Sequence, residues 1–148
     1  MAKVADRVFL DTNVLLAATD EGRGEHGRAL AVLNEWPADG IALYASGQVL
    51  REYLCVATRN VGDNGLGLTQ AEALTNVAAL RDRLSVLDES AKGLDRLLEL
   101  LGSVDCRGKQ VHDANVVATM LVNGVAAIVT ANDNDFRRFA EHIQIVAL

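Results

Sequence analysis

The chain has 148 residues, of which 50% are hydrophobic and 23% are charged. That length suits one domain with a substantial core, and that composition argues against intrinsic disorder. The net charge of −6 excludes a protein that binds nucleic acid by broad charge neutralisation. It leaves open a nucleic-acid enzyme whose acidic groups are masked by divalent cations.

The location of the protein is predicted from its cysteines and its apolar runs. Cys55 and Cys106 lie far apart and form no C-x-x-C pair, so we expect reduced, buried thiols. The first 20 residues lack the features of a signal peptide, and no apolar run approaches the roughly 20 residues that span a bilayer. We therefore expect a soluble, cytoplasmic protein without membrane contact.

Short apolar runs alternate with helical patterns along the chain. Strands are predicted at residues 7–10, 41–46, 84–88, 126–130 and 143–148. Helices are predicted from residue 12 to about 18, at 25–36, at 47–59, from 69 onward, at 89–101, at 111–123 and, as a short segment, within 132–142. Thr69 and Glu72 have the spacing of a capping box. The pattern indicates an α/β fold: one domain over residues 1–148, with a central, mostly parallel sheet of about five strands flanked by helices.

Asp11 stands where the first predicted strand becomes a helix, in the segment VFLDTNVLLAA. In open α/β sheets, binding sites form along the edge where strands end. Asp11 and Asn13 also have the chemistry of helix-capping residues, which accept hydrogen bonds from free N–H groups. Both interpretations stay open for Asp11 taken alone.

Two further acids lie near the starts of two later predicted helices. Glu52 lies on the second turn of a helix that is apolar on most sides, where a Glu needs a partner, a metal or a solvent-facing position beside Arg51. Asp113 lies in the first turn of a strongly apolar helix, where a negative charge is also favourable to the helix dipole. Either acid suits a metal site or an ordinary surface role.

The segment IVTANDNDF places a polar cluster directly after a buried strand. It contains Thr130, Asn132, Asp133 and Asp135. Loop solvation accounts for one acid here, but less well for this whole arrangement. Asp135, just before Phe136, is the preferred fourth acid, and Asp133 is the less certain one.

These motifs together resemble the PIN domain family, especially the VapC-type toxin ribonucleases of bacterial toxin–antitoxin pairs. The matching segments are LDTNVLL, SGQVLREYL, HDANVVA and TANDNDF, and the resemblance covers nearly the whole chain. It implies that Asp11, Glu52, Asp113 and Asp135 carry the catalytic and metal site. It also implies that Thr12, Asn13, Thr130 and Asn132 support that site.

The expected chemistry follows from the acids. Carboxylates with few nitrogen or sulfur ligands suit Mg²⁺, with Mn²⁺ able to substitute. Without a cation, crowded acids raise one another's pKa values. We therefore expect metal-assisted hydrolysis of RNA, which the family implies leaves a 3′-hydroxyl and a 5′-phosphate.

The resemblance also implies a homodimer and inhibition by a VapB-type antitoxin that lies along an apolar groove. Candidates to line the groove are Val14, Leu15, Leu16, Leu30, Val32 and Leu33, although core packing explains them equally well. Candidates for a local basic rim that contacts RNA are Arg51, Arg107, Lys109, Arg137 and Arg138. Two other functions remain in competition: an inactive PIN-like binding scaffold, and an Asp- and Mg²⁺-dependent phosphoryl-transfer enzyme.

Overall fold

The apolar segments of the chain form one five-stranded parallel sheet. In the computed structural model, which describes residues 5–148, the strands are β1 (Arg7–Leu10), β2 (Ala42–Ser46), β3 (Ser85–Leu87), β4 (Ala127–Thr130) and β5 (Gln144–Ala147). The prediction of an α/β fold with about five mostly parallel strands is confirmed.

Seven α-helices connect and cover the strands in the described part of the chain. They are α1 (Thr12–Thr19), α2 (His26–Asn34), α3 (Gly47–Thr58), α4 (Gln70–Arg81), α5 (Ala91–Ser103), α6 (Gln110–Val122) and the short α7 (Asp133–Phe136). Among residues 5–148, no helix has the length and hydrophobicity to cross a membrane.

Strand order explains where the chain can build a site. The order across the sheet is β3-β2-β1-β4-β5, so β1 lies at the centre between β2 and β4. The chain moves outward from β1 in one direction through β2 and β3, and later returns to the other side for β4 and β5. Such a reversal opens a crevice at the carboxyl ends of the central strands. Leu10 at the end of β1 pairs with Val129, one residue before the end of β4.

The central strands are buried because helices cover both faces of a parallel sheet. All four residues of β4 and the last three residues of β1 are buried. Val14 and Leu15 of α1 and Tyr53 of α3 are also inaccessible to solvent. Helices α1, α3 and α6, which position Asp11, Glu52 and Asp113, all contribute buried residues to this core.

Two helix starts show local chemistry that differs from the prediction. Helix α5 begins at Ala91 rather than at residue 89, because Ser90 is its N-cap and accepts a hydrogen bond from Gly93 N at 3.2 Å. At α4, Thr69 Oγ1 accepts from Glu72 N at 3.1 Å, as in a capping box. The Glu72 carboxylate, however, accepts from the Thr69 hydroxyl instead of the Thr69 backbone N–H.

The prediction of buried thiols was wrong for Cys55, which is exposed, whereas Cys106 is half-buried; both are free. The core-facing positions of α3 are Val49, Tyr53 and Ala57, spaced four residues apart. Cys55 lies halfway between two of them along the helix and therefore projects from the opposite side.

Candidate active site

Asp11 is the N-cap of α1 and also the centre of a hydrogen-bond cluster. Its Oδ1 accepts from Thr12 N at 2.8 Å, which is the capping contact. Its Oδ2 accepts from Thr130 Oγ1 at 2.8 Å and from Asn13 Nδ2 at 3.1 Å. The capping and functional interpretations are thus compatible, because each carboxylate oxygen has a different set of donors.

Thr130 and Asn13 join the ends of β1 and β4. The Thr130 side chain is fully buried, and its oxygen also accepts from Asn132 N at 3.0 Å. Asn13 Oδ1 accepts from Ala131 N at 3.0 Å, while its Nδ2 lies 3.3 Å from Thr130 Oγ1. Asn132 therefore enters this cluster through its backbone N–H. Together these contacts hold the loop after β4 beside Asp11.

Glu52 is attached to the same edge of the sheet through Thr12. The buried Thr12 hydroxyl donates to Glu52 Oε2 at 2.8 Å. Glu52 Oε1 accepts from Gln48 Nε2 at 2.9 Å. The half-buried Glu52 thus has a donor on each oxygen and is held toward α1, next to Asp11, rather than standing free in solvent beside Arg51.

The charges of four acids act on one another at this edge. Burial raises the pKa of Asp11; hydrogen bonds from Thr130 and Thr12 oppose this, and the charges of Glu52 and Asp135 add to it. Burial also raises the pKa of Asp113 to about 7, with the charges of Asp135, Asp11 and Glu52 adding to the effect. The structure thus brings Asp11, Glu52, Asp113 and Asp135 together.

Asp133 and Asp135 differ in their surroundings although they are two residues apart in α7. Asp133 Oδ2 lies 3.1 Å from Arg137 Nη2, and this ion pair joins two residues one helical turn apart. Asp135 is exposed, yet its charge raises the pKa of both Asp11 and Asp113. Asp135 is therefore the acid of this segment whose charge acts on Asp11 and Asp113.

Among the candidate basic residues, Arg138 has a charge that acts on Asp113. It lowers the pKa of Asp113, against the larger effects that raise it. Its Nη1 is anchored by Asp105 O and Gln110 Oε1, both at 2.8 Å. Three of the other candidates pair with carboxylates: Arg51 with Glu89, Arg107 with Asp105, and Arg137 with Asp133.

The acids fit a hydrated cation better than a dry one. Within residues 5–148, no three His, Cys, Asp or Glu side chains are arranged to hold a single ion directly. Mg²⁺ usually keeps several waters and is bound through one or two carboxylates. The all-oxygen donor set and the raised pKa values of Asp11 and Asp113 suit such binding, since a cation offsets the repulsion between carboxylates.

Sequence reasoning missed the buried amide of Gln48 and its partner Asn115. Gln48 Nε2 contacts Glu52, and Gln48 Oε1 accepts from Asn115 Nδ2 at 2.6 Å. The available signal was spacing: Gln48 lies four residues before Glu52, on the same helical face. The contact with Asn115 of α6, in contrast, depends on how the two helices pack.

Five of the six apolar residues expected to line an antitoxin groove are core residues: Val14, Leu15, Leu16, Val32 and Leu33. Leu30 and Leu33 do border a groove of about 680 Å³ between α1, α2 and α4. Ala71, Thr75 and Ala79 of α4 form its opposite wall.

Comparison with solved structures shows chains of the same fold. The structure aligns with VapBC2 from Rickettsia felis bound to a promoter DNA fragment, at a TM-score of 0.69 and 17% identity over 96% of this chain and 98% of that one. It aligns with Mycobacterium tuberculosis VapC20, a toxin that cleaves the sarcin–ricin loop, at a TM-score of 0.64 and 22% identity over 92% of this chain and 95% of that one. It aligns with DNA-bound VapBC from Salmonella typhimurium at a TM-score of 0.64 and 22% identity over 95% of this chain and 97% of that one.

Sequence comparison identifies the family. No curated protein matches the chain. The PIN domain family model, however, matches residues 8–142, which include all four acids, strands β2, β3 and β4, and all of β1 except Arg7; β5 lies outside the match. Together with the parallel sheet and the predicted motifs in their expected places, this match shows that the chain belongs to the PIN domain family.

Proposed function

We propose that this PIN domain is a Mg²⁺-dependent endoribonuclease and the toxin of a VapBC-type toxin–antitoxin pair. The observation that carries the proposal is the convergence of Asp11, Glu52, Asp113 and Asp135 at the carboxyl edge of the sheet, close enough for their charges to interact. The solved neighbours are consistent with it, since one is a toxin that cleaves the sarcin–ricin loop.

In the proposed reaction, Asp11, Asp113 and Asp135 would hold one or two Mg²⁺ or Mn²⁺ ions, directly or through water. A bound metal would supply a water activated for in-line attack and would stabilise charge on the phosphate and the leaving oxygen. Thr130 and Asn13 keep the Asp11 carboxylate in place through the bonds to its Oδ2. Glu52 would hold a second ion or orient the attacking water.

RNA contacts the protein through a local basic rim in this proposal, because the net charge of −6 opposes broad binding. Arg138 is one part of the rim, beside Asp113. A cleft of about 340 Å³ next to Glu52 is another, since Arg51, Arg59 and His112 line it. A phosphate on either side of the scissile bond would meet one of these basic groups.

The proposed partners follow from the solved neighbours, two of which are VapBC complexes. We assign a VapB-type antitoxin segment to the groove between α1, α2 and α4. We assign the contact of a homodimer to the apolar strip formed by Leu94 and Leu98 of α5 and Val122 of α6, all of which are exposed. A sedimentation mass near that of the 15.8 kDa monomer would argue against the dimer.

The test is cleavage of an RNA panel by the purified protein with Mg²⁺, with Mn²⁺ and with EDTA. The panel contains tRNA, rRNA fragments and the sarcin–ricin loop, and the ends of each product are identified. Asp11→Asn and Asp135→Asn should each reduce cleavage by at least about 100-fold, above the 10–100-fold typical of groups that only support metal ligands. Asp133→Asn is the matched control, since Asp133 pairs with Arg137.

Each alternative has its own outcome in this test. Full Mg²⁺-dependent cleavage by Asp11→Asn, purified away from host nucleases, would reject the site. No cleavage by the wild type with either metal, despite tight binding of an antitoxin, would indicate an inactive scaffold. Release of phosphate from a small phosphomonoester without RNA cleavage would indicate a phosphoryl-transfer enzyme.

A further inference from the structure

Gln48 makes three hydrogen bonds from a position where only 6% of its surface is exposed. Its Nε2 donates to Glu52 Oε1 at 2.9 Å and to His112 O at 3.0 Å. Its Oε1 accepts from Asn115 Nδ2 at 2.6 Å. Gln48 and Glu52 lie on α3, whereas His112 and Asn115 lie on α6, on either side of Asp113. One side chain thus connects the helices that carry two of the four acids.

A chain of donors and acceptors sets the direction of the Gln48 amide. Asn115 Nδ2 donates to Glu89 Oε1 at 3.0 Å as well as to Gln48 Oε1. A carboxylate only accepts, so Glu89 fixes which end of the Asn115 amide faces it. Asn115 in turn leaves Gln48 with its NH₂ group toward Glu52 and His112 O. The reverse orientation would set the Gln48 oxygen against a carboxylate and a carbonyl, both of which are acceptors.

The bonds are costly to lose because the network is closed. Within the described residues, every buried side-chain nitrogen and oxygen has a hydrogen-bond partner. Removing the Gln48 amide would take one hydrogen bond each from Glu52 Oε1, His112 O and Asn115 Nδ2, and Asn115 would keep only its bond to Glu89. Glu52 would then be held by Thr12 on one oxygen only.

From these contacts we infer that Gln48 is a positioning residue of the active site: its oriented amide holds the Glu52 carboxylate and fixes α3 against the first turn of α6, where Asp113 lies. The expected effect of Gln48 on the cleavage rate rests on the proposed ribonuclease function. The expected effect of Gln48 on the conformation of Glu52 does not. Misplacing an active-site group by about 1 Å can lower the reaction rate on the order of 100-fold.

The test compares Gln48→Met, which keeps the length of the side chain but removes the amide, with Thr119→Val. Thr119 is a buried residue of α6, and its hydroxyl donates to Asn115 O, so this control also loses one buried hydrogen bond. We measure kcat and KM for a cleaved RNA, the melting temperature, and the Glu52 rotamer in crystal structures. Gln48→Met should lower kcat by about 10–100-fold with little change in KM and should displace Glu52. Thr119→Val should change neither kcat nor the position of Glu52.

A second variant tests the orientation of the amide while keeping Gln48. In Asn115→Asp the side chain at position 115 only accepts, so Gln48 should turn its NH₂ group away from Glu52. We expect a fall in kcat of about 10-fold, as is typical when a group that supports a metal ligand is altered. This variant also decides the question if Gln48→Met does not fold.

The outcomes separate the inference from the proposed function. The inference would be overturned if Gln48→Met leaves Glu52 in its wild-type position with a normal kcat. If Gln48→Met does not fold, the same result in Asn115→Asp would overturn it. An equal loss of kcat in Thr119→Val would also overturn it, because the loss would then reflect general stability. If the wild type cleaves no RNA, the proposed function fails. The positioning role is then judged by the Glu52 rotamer alone: displacement supports it, and an unchanged rotamer rejects it.

Discussion

The carboxyl group of Asp113 is close to half protonated at neutral pH in the metal-free protein, since burial and three neighbouring acids raise its pKa to about 7. A carboxylate in the first turn of a helix is ordinarily favourable. Here burial, with the charges of the three acids adding to it, outweighs that effect, even though Arg138 opposes it. Raised pKa values of this kind are typical of functional sites.

The pH dependence of stability should report this strain. The folded state binds the Asp113 proton more tightly than the unfolded state, whose pKa is near 3.8. The free energy of unfolding therefore falls as pH rises from about 4 to 7 and then levels off. Asp113→Asn should stabilise the metal-free protein by about 1–2 kcal/mol at pH 8, a range reduced for the partial exposure of the group, and by almost nothing at pH 4.

Urea unfolding in EDTA at pH 4, 6 and 8 measures this difference. Asp95→Asn, at an exposed position on α5, is the control for loss of one negative charge. A gain that is the same for Asp113→Asn and Asp95→Asn at pH 8 would trace the effect to net charge instead of to the site.

Residue types in this chain identified the candidate acids, but not which of two neighbours takes part. Asp133 and Asp135 have the same chemistry and both follow a buried strand. In the short α7, Asp133 has Arg137 one turn ahead and pairs with it. Asp135 has no such pair in the described contacts and instead acts on Asp11 and Asp113. The difference arises from the rotation of about 100° per residue within one helical turn.

At the scale of elements, α4 illustrates what a helical pattern leaves undecided. Its start was predicted from Thr69 and Glu72, and Thr69 does cap the helix. Only Ala73 and Leu80 of α4 are buried, so most of the helix is open to solvent on the outside of the molecule. One exposed face lines the groove shared with α1 and α2. We therefore expect two exposed alanines of α4 to respond differently to substitution.

Ala79 borders the groove, whereas Ala78 is also exposed but does not border it. Ala79→Arg should weaken binding of the VapB-type antitoxin by more than about 10-fold, or 1.4 kcal/mol, by filling the space for the bound segment. Ala78→Arg should bind normally. Isothermal titration calorimetry checks both, and equal affinities would show that the antitoxin segment lies elsewhere.

On the scale of the whole molecule, cation binding should be linked to folding. The four acids come together only when the sheet and its helices are formed, so a divalent ion binds the folded state preferentially. At tenfold excess over its Kd, Mg²⁺ should add about 1.4 kcal/mol, which corresponds to a rise of about 3–5 °C in Tm for a domain of this size.

The rise in Tm should shrink as pH falls below 7, because a proton on Asp113 competes with the cation. Differential scanning fluorimetry with Mg²⁺ at pH 6 and pH 8 measures it, with the same ionic strength of NaCl as the control. The Asp11→Asn variant should lose most of the rise. An equal rise in that variant would place the cation outside the proposed site.

The sequence alone determined the class of fold, because alternating buried strands and amphipathic helices have few stable arrangements. It also determined that Asp11 lies at a strand end, since a strand that ends in Asp-Thr-Asn and continues as a helix leaves little choice. Only the tertiary structure decided which distant groups meet Asp11. Thr130 lies 119 residues away in the chain, and Gln48 and Asn115 lie 67 residues apart. Local patterns fix the face on which a side chain projects, but strand order and helix packing fix its partners. Asp11 is therefore recognisable from its own segment, whereas the contacts that shape its site are not.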